Sequence, residues 1–252
     1  MLTEERQSYI LDQLNTKNIV KLKEIATTLN ASESTIRRDF EQLEEQGYLE
    51  RVHGGAKRIL QLDYEQNMEE KSIKNKQEKV KIAKLAASFV EDGDIIFLDA
   101  GSTTVEMIAF LTAKNIQVVT NSVHHAAQLA DKKIPTMILG GKIKLSTKVV
   151  LGPDATDEMN RYQFNKAFLG MNGVHQSFGY TTPDLEEAHL KKLAIHHAQE
   201  SFVLADSSKF QQVTFVKVGD LREATILTEK FDEQLGQEIP KLTTVLQVEE
   251  EN

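Results

Sequence analysis

From about Gln77 onward the chain repeats one pattern: a short apolar run without alternation, a small or polar residue, then a helical stretch. The runs are Ile95–Leu98, Val118–Val119, Met137–Leu139, Ala167–Leu169, Phe202–Ala205, Ile226–Leu227 and Val245–Val248. A strand with one wet face alternates apolar and polar side chains, whereas a strand covered on both faces is apolar throughout. Helical stretches such as Thr104–Leu111 and Val123–Ala130 separate several of the runs, and a helix with Val80, Ala83, Leu85, Ala86, Phe89 and Val90 precedes them, stopped at Asp92-Gly93-Asp94. The pattern predicts a single α/β domain over 77–252, with a parallel or mixed sheet covered by helices.

Residues 1–58 follow a different rule. Leu22, Ile25, Ala26 and Leu29 recur at helical spacing and form one apolar stripe. Asn30-Ala31-Ser32 supplies a turn and an N-cap, and a second helix follows with Ile36, Phe40 and Leu43 inward and Gly47 at its end. At 100° per residue, Ser34, Arg37, Arg38 and Glu41 then point outward. Two helices joined by so tight a turn predict a helix-turn-helix, whose second helix enters the major groove of DNA. Strands on either side of His53-Gly54-Gly55 would add a wing. Candidate DNA contacts are therefore Ser32, Ser34, Thr35, Arg37 and Arg38 on the helix, and Arg51, His53, Lys57 and Arg58 on the wing. Residues 59–76, polar and mixed in charge, read as a linker.

Charge tests this assignment. The chain of 252 residues has a formal net charge of −8, which a phosphate-lined duplex repels. Net charge describes the whole molecule, while binding depends on one face, and here Arg and Lys gather on the second helix and the wing. With 40% hydrophobic and 27% charged residues the chain can bury a core, and with no Cys it has no disulfide and no thiolate metal site. The adjacent pairs His124-His125 and His196-His197 diverge on a helix and lack a third ligand, so neither a metal nor a cofactor is expected. No apolar run reaches membrane-spanning length and the first residues lack a secretory-signal layout, so a cytoplasmic protein with no membrane partner is expected.

In an open parallel sheet, ligands bind beyond the carboxyl ends of the strands. The residues there are small, polar or charged: Asp99-Ala100-Gly101-Ser102-Thr103-Thr104, Thr120-Asn121-Ser122, Gly140-Gly141-Lys142, Gly170-Met171-Asn172-Gly173 and Asp206-Ser207-Ser208-Lys209. Gly101 allows close backbone approach, and Ser102, Thr103 and Thr104 offer hydroxyls and amides at a helix start, where negative charge is favoured. The bland alternative is an ordinary N-cap. Thr181-Thr182-Pro183-Asp184 reads as a second helix start, with Thr as N-cap and Pro in the first turn. Glu187 and Lys192 read as charges on a solvated helix face, and Met107, Met137, Met159 and Met171 as packing.

Taken together, Leu22-Lys23-Glu24-Ile25-Ala26, Ser32 through Phe40, and Arg51-Val52-His53-Gly54-Gly55-Ala56 closely resemble the amino-terminal module of the DeoR family of bacterial repressors. The strand-end segments above, with Gly179-Tyr180-Thr181-Thr182-Pro183 and Asp206 through Phe210, resemble that family's effector domain in the same order. The resemblance covers nearly the whole chain. It implies a fold like ribose-5-phosphate isomerase and a phosphorylated sugar as effector. It further implies Gly101, Ser102, Thr103 and Thr104 as phosphate ligands, and Asp99, Asn121, Gly141, Lys142, Thr181, Glu186, Asp206 and Lys209 around the sugar. The pattern is most similar to fructose-operon repressors of Gram-positive bacteria, which would make fructose 1-phosphate the leading effector.

The competing class is a sugar-phosphate isomerase with a DNA-binding appendage, since Asp99, Glu186, Asp206 and Lys209 are residue types that can move protons. The fused DNA-reading module favours a non-enzymatic switch, because turnover would erase the signal a sensor reports. Operator DNA, a phosphosugar and further copies of the chain, as a homodimer or homotetramer, are the expected partners.

Overall fold

Helix α1 (Thr3–Lys17) opens the first of two units, Met1–Gln61, in a computed structural model that describes residues 2–17, 19–46, 48–58, 67–232 and 235–249. Strand β1 (Ile19–Lys21) leads into α2 (Leu22–Thr28) and α3 (Glu33–Glu45), and β2 (Leu49–Val52) and β3 (Gly55–Arg58) follow. The strands form an antiparallel sheet in the order β1-β3-β2, which is the predicted wing enlarged by one strand. Leu22, Ile25 and Ala26 of α2 pack with Ile36, Phe40 and Leu43 of α3, joined by Ile10 and Leu14 from α1. Each large apolar side chain so buried contributes roughly 1.5–3 kcal/mol. Asn30 between the helices has φ 48°, a left-handed turn position that asparagine tolerates.

Two features of this unit escaped sequence reading. The Asp39 carboxylate, on the inner face of α3 and 2% exposed, takes a forked pair from Arg6 of α1, Nε to Oδ2 at 2.5 Å and Nη2 to Oδ1 at 2.8 Å. Gly55 belongs to β3 and not to the turn. A Cβ there would lie 2.1 Å from the Val20 carbonyl oxygen, so only glycine lets β1 and β3 approach. Gly47, expected to end the second helix, lies outside the described residues.

The second unit, Leu62–Asn252, is ordered around one sheet. Helices α4 (Met68–Ile73) and α5 (Lys76–Ala87) come first, then β4 (Ile95–Leu98), α6 (Thr104–Met107), β5 (Gln117–Thr120), α7 (Val123–Asp131) and β6 (Thr136–Ile138). A hairpin of β7 (Lys142–Lys144) and β8 (Val149–Leu151) precedes α8 (Pro153–Met159) and β9 (Phe164–Gly170). Next come β10 (Gly173–His175), β11 (Gly179–Thr182), α9 (Leu185–His196), β12 (Ala198–Leu204), β13 (Val216–Gly219), β14 (Thr225–Thr228), α10 (Ile239–Leu242) and β15 (Val245–Gln247).

Seven strands form the main sheet in the order β15-β14-β12-β9-β4-β5-β6, every neighbour parallel. Each apolar run of the sequence is one of these strands. Two cores explain why the runs do not alternate. Phe97, Val119, Ala167, Leu169, Val203 and Ile226 point into one core. Ile96, Leu98, Val118, Phe168, Phe202, Leu204 and Leu227 point into the other. An antiparallel sheet, β10-β11-β13, stands apart from the main one.

Two expectations need correction. Thr181 and Thr182 are buried strand residues of β11, and the helix after them is capped by Asp184, whose side chain accepts from the Glu187 N–H at 2.9 Å. The segment expected to be a linker is helical in its second half. Residues 59–66 lie outside the described residues, but α4 is docked on the second unit, with Met68 buried and its N–H donating to the Ser146 carbonyl at 3.1 Å.

Candidate functional site

In the first unit the candidate surface is the outer face of α3. Ser32 caps it, its Oγ accepting from the Thr35 N–H at 3.1 Å and lying 2.8 Å from the hydroxyls of both Ser34 and Thr35. Arg37 and Arg38 are exposed, and no carboxylate among the described residues meets either guanidinium. The wing differs. Arg51 spans Glu41 and Glu44 at 2.7 and 2.6 Å, holding the Glu44 carboxyl below the usual range by hydrogen bonds from its N–H and guanidinium. Lys57 lies 2.9 Å from Glu50. His53 is exposed in the turn beside Gly54, whose φ is +80°. The Arg58 side chain lies outside the described residues. Of the expected cations, the two on α3 are thus exposed and unpaired, while Arg51 and Lys57 of the wing are already engaged.

In the second unit a recess opens at the carboxyl ends of β4, β9 and β12. Ala100, Gly101, Ser102 and Thr103 line it after β4, Gly170, Met171 and Asn172 after β9, and Lys209 after β12. Met68 and Lys71 of α4, Glu187 and Lys191 of α9, and Thr147 complete the wall. Gly101 is fixed in identity, since a Cβ would come 2.9 Å from the Thr104 hydroxyl. Among the described residues no acceptor meets the N–H groups of Ser102, Thr103 or Thr104. Helix α6 spans only Thr104–Met107, so the donors belong to a loop and the aligned dipole of a long helix adds little.

Several expected ligands are committed elsewhere. The Thr104 hydroxyl is buried and donates to the Asp99 carbonyl at 2.6 Å, while accepting from His125 Nε2 at 3.0 Å. His125 in turn lies 2.6 Å from Ser122 through Nδ1, and burial pushes it down to about 3, so the ring is a neutral strut. Asp99 is 1% exposed and receives the Lys191 ammonium, the Gly170 N–H at 3.1 Å and the Asn121 amide at 3.3 Å. Asn121 also accepts from the Ala100 N–H at 2.8 Å. Asp99, Thr104, Asn121 and His125 brace the loop and do not line the recess. Asp206 is bound by Asn75 and Ser208; burial raises its pKa, but Lys209, those hydrogen bonds and Lys79 outweigh this and hold it low. Gly141, Lys142 and Thr181 do not line the recess, and Glu186 is exposed while its neighbour faces in.

That neighbour, with Lys191, is what sequence reading missed. Glu187, expected to be solvated, is 6% exposed and is bound by Lys144 at 3.1 Å and Thr147 at 3.2 Å. Lys191 is 4% exposed and aimed at Asp99. Lys71, Lys191 and Lys209 line the recess against the one carboxylate of Glu187, so a chain of net charge −8 has a cation-rich pocket with free amides beside it. Such a pocket suits a multiply charged anion.

Comparison with known proteins agrees with both units. Residues 6–61 match the model of a DeoR-like helix-turn-helix domain, and residues 74–230 match the DeoR C-terminal sensor domain. The chain is 48% identical to FruR of Bacillus subtilis, named as an uncharacterized HTH-type transcriptional regulator, over 92% of this chain and 93% of the relative. It is 31% identical to a lactose phosphotransferase system repressor of Staphylococcus epidermidis, over 96% of this chain and 98% of the relative. A solved ribose 5-phosphate isomerase A from Methanocaldococcus jannaschii matches at 23% identity, covering 54% of each chain with a TM-score of 0.40, too distant to bear on chemistry. No described helix is long and apolar enough to cross a membrane. With matching models for both units and a relative 48% identical along almost its whole length, the chain belongs to the DeoR family of transcriptional regulators.

Proposed function

We propose that this protein represses a sugar-utilisation operon in the cytoplasm and that a phosphorylated sugar, with fructose 1-phosphate as leading candidate, fills the recess and lowers operator affinity. The observation carrying this reading is the cationic recess beside the unpaired amides of residues 102–104, in a chain whose α3 presents two unpaired arginines. Ser102 and Thr103 would meet the phosphate together with Lys191 and Lys209. The fructose branch rests on the resemblance of the motif pattern to fructose-operon repressors and on the 48% identity to FruR. The lactose phosphotransferase system repressor, at 31%, supports sugar regulation more broadly.

The state of the carboxylates supports a switch over an isomerase. Asp99, Asp206 and Glu187 are each held by a cation or by hydrogen bonds, which leaves no free carboxylate base among the described residues of the recess. The protein would bind its operator as a dimer or tetramer, one α3 per half-site. By linkage, operator DNA then weakens effector binding by the factor with which effector weakens operator binding. Fluorescence anisotropy of labelled operator DNA at fixed salt, titrated with fructose 1-phosphate, other hexose and pentose phosphates and inorganic phosphate, tests this. Release by one phosphosugar is expected, and an operator complex indifferent to all of them would sink the effector model.

A further inference from the structure

We infer that Arg51 serves DNA recognition from the wing without itself being a contact: it takes up Glu41 and so keeps Arg37 and Arg38 of α3 unpaired for the duplex. The inference rests on α3 as the element that meets DNA, and it gives a positioning role to a residue that the sequence pattern offered as a direct contact.

The sequence of α3 sets up a conflict. Arg37, Arg38 and Glu41 all belong to its exposed face. Glu41 stands four residues after Arg37 and three after Arg38, the two spacings at which helical side chains meet. A carboxylate on either guanidinium would cancel the charge that α3 offers to phosphates and guanine edges. The structure resolves the conflict in favour of the wing. Glu41 Oε1 accepts from Arg51 Nη1 at 2.7 Å, and among the described residues no carboxylate meets Arg37 or Arg38.

Glu44 explains why Arg51 is in place to do this. β2 is an edge strand, and the Arg51 N–H on its open side donates to Glu44 Oε1 at 2.8 Å, while Nε donates to Glu44 Oε2 at 2.6 Å. Leu49, two residues earlier, is fully buried and anchors the strand. Held at two points by Glu44, the guanidinium presents Nη1 to Glu41, one turn back along α3. A single ammonium could not grip both carboxylates in this way. The competing pairs on α3 have the acid after the base in sequence, the weaker order on a helix, so an exposed competitor suffices to draw Glu41 away.

The test uses the full-length protein and a labelled duplex that wild type selects from a random-sequence library, with affinity read by fluorescence anisotropy at fixed salt. Arg51→Ala, Glu41→Gln and the pairs R51A/E41Q and R51A/E44Q are compared, with thermal melts to confirm folding. Arg51→Ala should bind about 2- to 3-fold more weakly, since an exposed pair at helical spacing shifts a population only about 2-fold. R51A/E41Q should return to wild-type affinity, whereas R51A/E44Q should stay weak and E41Q alone should change affinity by less than about 1.5-fold. If R51A/E41Q stays as weak as R51A, Arg51 touches DNA directly and the inference falls. Equal rescue by E41Q and E44Q also overturns it, because freed carboxylates then merely repel the duplex. So does an R51A protein that binds as tightly as wild type. Should R51A not fold, Arg51→Lys takes its place, and E41Q is expected to raise affinity in that background and not in wild type. A folded R37A/R38A variant with wild-type affinity would instead defeat the reading of α3 on which the inference stands.

Discussion

The two units hold positive charge in opposite ways. On α3, Arg37 and Arg38 stand exposed without carboxylate partners, whereas in the sensor Lys191 is 4% exposed against a buried Asp99. The first arrangement leaves cations free to displace counterions from a polyanion, and its strength varies with salt. The second encloses charge and fixes it by hydrogen bonds, which suits one small anion and resists screening. One chain thus carries a surface contact tuned by its surroundings and a pocket largely insulated from them.

The sharpest way to break this contrast is Arg37→Ala with Arg38→Ala. Operator affinity is expected to fall about 100-fold or more, at roughly 1–3 kcal/mol per base-contacting arginine, with effector affinity unchanged by calorimetry. A folded double variant that binds operator normally removes α3 from the groove. Lys191→Gln makes the mirror-image test. It leaves Asp99 buried and uncompensated, so unfolding stability should drop by about 3 kcal/mol and effector affinity about 30-fold, with operator binding by the folded fraction retained. Raising salt from 50 to 200 mM should weaken operator binding about 10-fold or more and effector binding by no more than about 3-fold. Equal salt dependence would erase the distinction.

A smaller effect concerns pH. Lys79 is pushed down to about 8, first by burial and further by Lys209 and Lys74, with Asp206 and Glu106 opposing. Between pH 7 and 9 it loses its proton, the positive charge at the carboxyl end of α4 falls, and effector affinity should fall about 3-fold. Stability responds with the opposite sign. Because the folded pKa lies below the unfolded value, from about 8 to 10.5 the unfolded chain holds a proton that the native chain has released, so the contribution of Lys79 to stability rises with pH across that window. The smallest effect is expected for Arg51→Ala, about 2- to 3-fold on operator affinity, because that guanidinium is already shared between Glu41 and Glu44.

The main sheet was legible in the sequence because burial on both faces makes each strand apolar from end to end. The same burial marks which segments are strands. The shorter sheets were not legible. Gly179–Thr182 is polar and glycine-containing, and its strand character comes from pairing with β10 and β13. The lining of the recess was legible by segment and not by residue. Ser102 and Thr103 face the recess, but Thr104, identical in type to its neighbour, turns inward to hold the loop. Glu187 looked like a charge on a solvated helix face because spacing says which side chains share a face and does not say which way that face points. Arg6 and Asp39 are far apart in sequence and share no local pattern.

The order of strands in the main sheet has a consequence for synthesis. A ribosome delivers β4, β5 and β6 first, and these three are adjacent in the sheet. β9 then joins the free side of β4, and β12, β14 and β15 follow outward in the order of their translation. No strand has to wedge itself between two that are already paired. The sensor can therefore grow from an open edge as the chain emerges, and the hazard of stalling is a bare, apolar, half-built margin waiting for its next neighbour.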